Sequence, residues 1–399
     1  MATLLPWASV EYALDWPREL LRAELTALIN HPYRACTAAE IELLLREAFH
    51  TSAPADDFAR LSSADEVMRV TVNLQTGTTS GPDPVRAPGW LTGLVNHLDE
   101  VRQYASSAPL WRTRRALHGR RLSVEPKDAR LAFAMLTQRL YADGYLAREL
   151  GALCIDAEQD EHGQLPHNGR NSQNRILEEL QRRLGTAERG LWPPAWDHWD
   201  TDTFYELIEA WHDLVARPRR RWIHDHDECG VHFEDFDPDA GRRIYRALVN
   251  RLLAEYDVSL QLAADGEDEG RLVQLVDDAR GDLLQRAMTG STANVADRIA
   301  HAITQFRRRG AAEQDKISAV ITLAGILEER RELVREQLGR KDEGALFTIA
   351  NEFAIRHQRR GQQGDYDPAF LDWIFWWYLA TVELTERLLV RQLDGEANA

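Results

Sequence analysis

Period-2 alternation, the signature of a half-buried strand, is almost absent from this 399-residue chain, and that scarcity limits what it can fold into. Ala, Leu, Arg and Glu dominate instead, with apolar residues recurring at three- and four-residue spacings. Only residues 68–74 (MRVTVNL) alternate as a strand would, and extension of a helix is the alternative for them. From Pro238 onward the pattern reads as near-continuous helix over 238–263, 268–288, 292–309, 312–338, 342–357 and 367–393. Gly310, Gly339 and Gly361 stand where three of these helices should stop. The fold class this predicts is all-α: a multi-helix bundle of predominantly antiparallel helices with little or no sheet.

Punctuation along the chain divides it into three parts. The N-terminal region reads as short helices, with Asp15 and Pro17 opening one that carries Leu21, Leu25, Leu28 and Ile29. Thr37–Glu40 and Ser63–Glu66 have the spacing of capping boxes. Residues 76–89 concentrate Gly, Pro, Ser and Thr and form a loop, followed by helices over 91–118 and 126–150. Two polar stretches, 156–171 and 217–239, carry no apolar stripe and read as irregular. The expected organisation is an N-terminal helical domain (1–155), a linker with a Trp-rich irregular region (156–237) and a C-terminal helical bundle (238–399).

Composition excludes several classes. Lys and Arg total 48 against 64 Asp and Glu, a net charge of −16, so a general nucleic-acid coat is disfavoured while a local basic groove stays open. Cys36, Cys154 and Cys229 are dispersed and odd in number, which suits a reducing compartment and makes the cytoplasm the expected location. The N-terminus has no positive charge ahead of its short apolar run, unlike a secretory signal. The most apolar segment, 370–382, falls short of the ~20 residues of a membrane span, so no membrane partner is expected. No phosphate-binding Gly-rich loop, dinucleotide fingerprint, nucleophile elbow or kinase signature occurs, and no cofactor is expected.

Twelve tryptophans are many for this length. Trp192, Trp196, Trp199, Trp211 and Trp222 gather around the centre, and Trp373, Trp376 and Trp377 lie on the last helix. Apolar residues surround that helix on nearly all sides, so it must be enclosed by other helices or by a second subunit.

Ahead of the aromatic helix, Asn351, Arg356, His357, Gln358 and Arg359 stand beside a stripe of Leu346, Ile349, Phe353 and Ala354. Arg356 and His357 near a helix C-terminus make a small cationic corner suited to a phosphate or carboxylate. Equally, the pair can clamp the turn by bonding Asp365, Asp367 or Asp372. The stretch 346–378 (LFTIANEFAIRHQRRGQQGDYDPAFLDWIFWWY), together with 229–253 (CGVHFEDFDPDAGRRIYRALVNRLL), resembles uncharacterised bacterial abortive-infection proteins of HEPN type, over about 60 residues. The resemblance implies a helical effector of anti-phage defence, a homodimer or defence-complex partner, and metal-independent RNA cleavage. It assigns general acid–base work to His357, phosphorane stabilisation to Arg356 and substrate contacts to Asn351, Gln358 and Arg359. The usual Arg and His of that family are four to six residues apart, whereas here they are adjacent and diverge by about 100° on a helix. They converge if the helix frays at His357 or if a second subunit supplies one of them. A non-catalytic helical sensor or scaffold of a defence complex is the alternative.

His224, His226, Cys229 and His232 lie within nine residues, a spacing compatible with tetrahedral zinc. No second CxxC or HxxxH pair completes a known pattern, and locally satisfied polar groups explain the run equally well. Arg217, Arg219, Arg220 and Arg221 just upstream read as a solvated face, although basic residues followed by Trp222 are also what a single-strand RNA groove would use.

Overall fold

The computed structural model describes residues 9–29, 38–61, 89–104, 126–150, 172–224, 230–289, 293–338, 344, 346–348 and 367–397. Helices dominate, as the apolar spacing predicts, and the described strands form two small two-stranded antiparallel sheets. The chain divides into two compact units, Met1–Val258 and Ser259–Ala399.

The first unit holds α1 (Arg18–Ile29), α2 (Ala38–Ala48), α3 (53–61), α4 (Gly89–Asn96), α5 (Pro126–Ala142), α6 (Ser172–Leu184) and α7 (Thr201–Leu214). Strands β1 (Arg217–His224) and β2 (Gly230–Asp237) follow, and α8 (Pro238–Glu255) closes the unit. The expected boundary at 237/238 therefore lies inside this unit. Asp237 ends β2 and at once caps α8, accepting from the Ala240 N–H at 2.9 Å, with Pro238 in the first turn. Strand and helix share one continuous backbone with no linker between them.

Residues 217–224 and 230–237, expected to be irregular, pair antiparallel, with Arg217 opposite Asp237, Trp222 opposite His232 and His224 opposite Gly230. Arg217 is not solvated: it is 1% exposed. Its Nε donates to Glu47 Oε2 at 2.8 Å, and Nη1 reaches Glu24 Oε2 at 3.4 Å. The guanidinium also lies 5.4 Å from the centre of the Trp16 ring. Arg243 on α8 contacts the other Glu24 oxygen at 3.3 Å, and the Tyr145 hydroxyl donates to Glu47 at 3.3 Å. α8 crosses this point through Gly241, where a Cβ would sit 2.6 Å from the Arg217 nitrogen and 2.8 Å from the Ala216 Cα. Trp192 and Trp211 pack together with ring centres 5.7 Å apart, and the Trp199 indole donates to the Gly190 carbonyl at 2.9 Å.

The turn after α5 is equally tight. Gly144 adopts φ +83°, and a Cβ there would lie 2.5 Å from the Phe233 ring of β2.

The second unit contains β3 (Leu260–Leu262), β4 (Leu272–Gln274), α9 (Asp278–Thr289), α10 (Ala293–Arg307), α11 (Glu313–Glu329), α12 (Arg331–Leu338) and α13 (Pro368–Ala397). The helices expected over 238–263 and 268–288 give way between 260 and 274 to a short hairpin pairing Leu260 with Gln274. Gly266 (φ +77°) and Gly270 (φ +75°) turn that loop. Gly310 (φ +74°) follows α10 as the sequence predicts. α13 buries Leu371, Ile374, Phe375, Tyr378, Leu379 and Val382, and Phe375 stacks on Phe306 at 3.8 Å. Arg330 bonds Glu386 and Thr385 on the same helix. Trp376 packs edge-on to Phe306, while Trp373 is 49% exposed. Among the described residues no helix is long and apolar enough to cross a membrane.

Two substitutions test the buried junction. Gly241→Ala places a methyl against backbone, and unfolding in urea is expected to show a loss of about 1–3 kcal/mol. Arg217→Met leaves two carboxylates without their main cation and is expected to cost about 3–5 kcal/mol. Burial pushes the Glu47 carboxyl up from its ordinary value, and Arg217 pulls it back. Without Arg217 its folded-state value rises further above the unfolded one, so stability is lost progressively as pH rises past about 4–5. Urea unfolding of Arg217→Met is therefore expected to show a larger deficit at pH 8 than at pH 5. Adding Glu47→Gln is expected to flatten that difference.

Candidate functional site

Residues expected to carry the chemistry fall largely outside the described part of the chain. Asn351, Arg356, His357, Gln358 and Arg359 lie outside it, as do His226, Cys229 and the 68–74 strand. The backbone of His224 ends β1, and His232 on β2 is buried. No group of three or more His, Cys, Asp or Glu among the described residues is placed to hold a metal ion.

A different cluster comes together in the first unit. The extended segment around Leu14 is held on both sides by backbone hydrogen bonds. On one side, the Asp15 N–H donates to the Ala48 carbonyl at 2.8 Å and the His50 N–H to the Ala13 carbonyl at 2.9 Å. On the other, the Leu14 N–H donates to the Arg102 carbonyl at 2.8 Å and the Tyr104 N–H to the Leu14 carbonyl at 2.7 Å. The Gln103 side-chain amide adds bonds to the Leu14 and Trp16 carbonyls. Three segments distant in sequence thus place Asp15, His50 and Tyr104 side by side. Asp15, expected to cap α1, turns its carboxylate into this junction instead.

These residues line an open cleft of about 430 Å³ together with Arg46, Phe49, Thr51, Ser52, Arg139 and Arg251. Asp15 forms its base, with a side chain only 5% exposed. Its Oδ1 lies 3.4 Å from His50 Nδ1 and 3.3 Å from Arg251 Nη1, and its Oδ2 lies 3.8 Å from Arg139. Arg251 also donates to the Asp15 carbonyl at 2.9 Å. Arg46 at the rim pairs with Asp56 at 2.9 Å, and Arg139 lies 3.6 Å from Asp143. Burial raises the Asp143 carboxyl, partly offset by Arg139.

Three guanidiniums thus face the cleft against the single carboxylate in its lining. Each keeps part of its surface in solvent, so an incoming anion can bond them without breaking the contacts that position them. With Asp15 Oδ1 3.4 Å from Nδ1, the Nε2 of His50 is left for a bound group.

No local sequence signal marks this cluster: α2 ends at Ala48, so the four-residue spacing of Arg46 and His50 is not a helical one, and Asp15, Tyr104, Arg139 and Arg251 are far apart in the chain. No family model, curated protein or solved structure matches this chain.

The cleft is expected to take small oxyanions. Thermal unfolding in millimolar inorganic phosphate, at constant ionic strength, is expected to show Tm raised by about 2–4 °C, the response of a domain of this size to ~1 kcal/mol. The same measurement on Arg139→Ala/Arg251→Ala is expected to show no shift.

Proposed function

We propose that the protein acts on RNA, binding a backbone phosphate in the Asp15–His50 cleft and breaking the phosphodiester without a metal. The observation that supports this reading is one imidazole beside a buried carboxylate, in a cleft that Arg46, Arg139 and Arg251 also line. In RNA transesterification the 2′-oxygen attacks phosphorus, the P–O5′ bond breaks, and one proton passes overall from the 2′-oxygen to the 5′-oxygen. His50 Nε2 is suited to one of these proton transfers, with solvent water serving the other. The guanidiniums offset the charge that builds on the non-bridging oxygens.

The resemblance of 229–253 and 346–378 to HEPN-type abortive-infection proteins points to the same substrate class and to a role as a bacterial defence effector, with Arg356 and His357 as the resembling pair. The two sites give different mutational outcomes. Incubation of total RNA with wild-type protein in excess chelator is expected to yield fragments ending in 2′,3′-cyclic phosphate. His50→Ala is expected to slow this by roughly 10²–10⁴-fold. Loss of cleavage in His357→Ala with full activity in His50→Ala would move the chemistry to the resembling pair. RNA left intact by the wild type would leave the non-catalytic sensor or scaffold reading.

A further inference from the structure

The cleft has an aromatic wall that phosphate binding does not require. The rings of His50 and Tyr104 stack with centroids 3.6 Å apart and planes 11° from parallel, and Phe49 lines the cleft beside them. Their backbones are pinned to Ala13 and Leu14, so the stack is preformed. His50 Nδ1 and Arg251 Nη1 approach the same oxygen of Asp15, which makes the ring wall and the cleft arginine neighbours around one atom. A cleft of about 430 Å³ exceeds what an isolated phosphate fills and falls in the ~300–1,000 Å³ range of organic-ligand sites.

We infer that the cleft binds a nucleoside phosphate unit, its base continuing the His50–Tyr104 stack and its phosphate meeting Arg139 and Arg251. This rests on the phosphate reading above and adds the base as a recognised group. Every base has a π-face, so stacking of this kind tolerates sequence, while bases inside a duplex already have both faces covered. The ligand is therefore an unpaired strand or a free nucleotide, and not a double helix.

Fluorescence anisotropy with a labelled, uncleavable 2′-O-methyl strand tests this against its duplex and against an abasic strand with the same number of phosphates. Wild-type protein is expected to bind the abasic strand and the duplex at least about tenfold more weakly than the unpaired strand. Tyr104→Leu is expected to lose the same factor on the base-bearing strand and nothing on the abasic one, while Tyr104→Phe binds as wild type. Equal affinity of the wild type for base-bearing and abasic strands would overturn the inference, and that comparison needs no variant to fold. If Arg139→Ala/Arg251→Ala binds both strands as tightly as wild type, the phosphate reading itself fails, taking this inference with it. Nucleoside monophosphate displacing the strand where inorganic phosphate does not would identify the free nucleotide as sufficient; displacement by neither would identify the strand.

Discussion

A buried arginine between two buried glutamates governs the first unit. Arg217 cannot give up its charge, so its removal from water has to be offset by close, well-directed partners. Glu47 and Glu24 supply them from α2 and α1, Trp16 supplies a π-face, and Arg243 on α8 balances the second carboxylate. Four elements far apart in sequence meet at one guanidinium, and none can shift without exposing an unpaired charge to an apolar interior. Such an arrangement adds little net stability over a hydrophobic core of equal volume. Its role here is to make one packing of those elements much better than its neighbours.

The junction and the cleft are two faces of the same segments. Trp16 points into the junction while Asp15 beside it points into the cleft, and Glu47 and Arg46 divide in the same way on α2. On α8, Arg243 reaches Glu24 and Arg251, about two turns further, reaches Asp15. Residues that hold the fold thus alternate with residues free to bind, and the rigidity of the first set positions the second. The second unit is organised by different means. Its centre is apolar, with Phe306 on Phe375, and its buried acids on α13 are met by Arg330, Arg286 and Arg387.

Where apolar spacing is long and regular, the sequence was legible: Ala293–Arg307 and Pro368–Ala397 lie within a few residues of expectation, whereas the single helix expected over 312–338 breaks at Arg330 into Glu313–Glu329 and Arg331–Leu338. The paired strands 217–224 and 230–237 were not, because four arginines in five residues look solvated. Arg220 and Arg221 are exposed, but Arg217 is buried against Glu24 and Glu47, some 170 or more residues away. The 260–274 hairpin has strands of three residues, too short for alternation to emerge. The cleft is hidden for a related reason. Its residues come from five separate stretches of chain, three of them joined by backbone bonds that no side-chain pattern records.

Gly144 carries a consequence beyond its own turn. Its missing side chain lets the Phe233 ring lie directly on the backbone that ends α5, one turn beyond Arg139. Strand β2 therefore acts as a stop that sets how far the end of α5 extends, and so where a cleft arginine stands. A residue that lines no part of the cleft thus helps to set its dimensions.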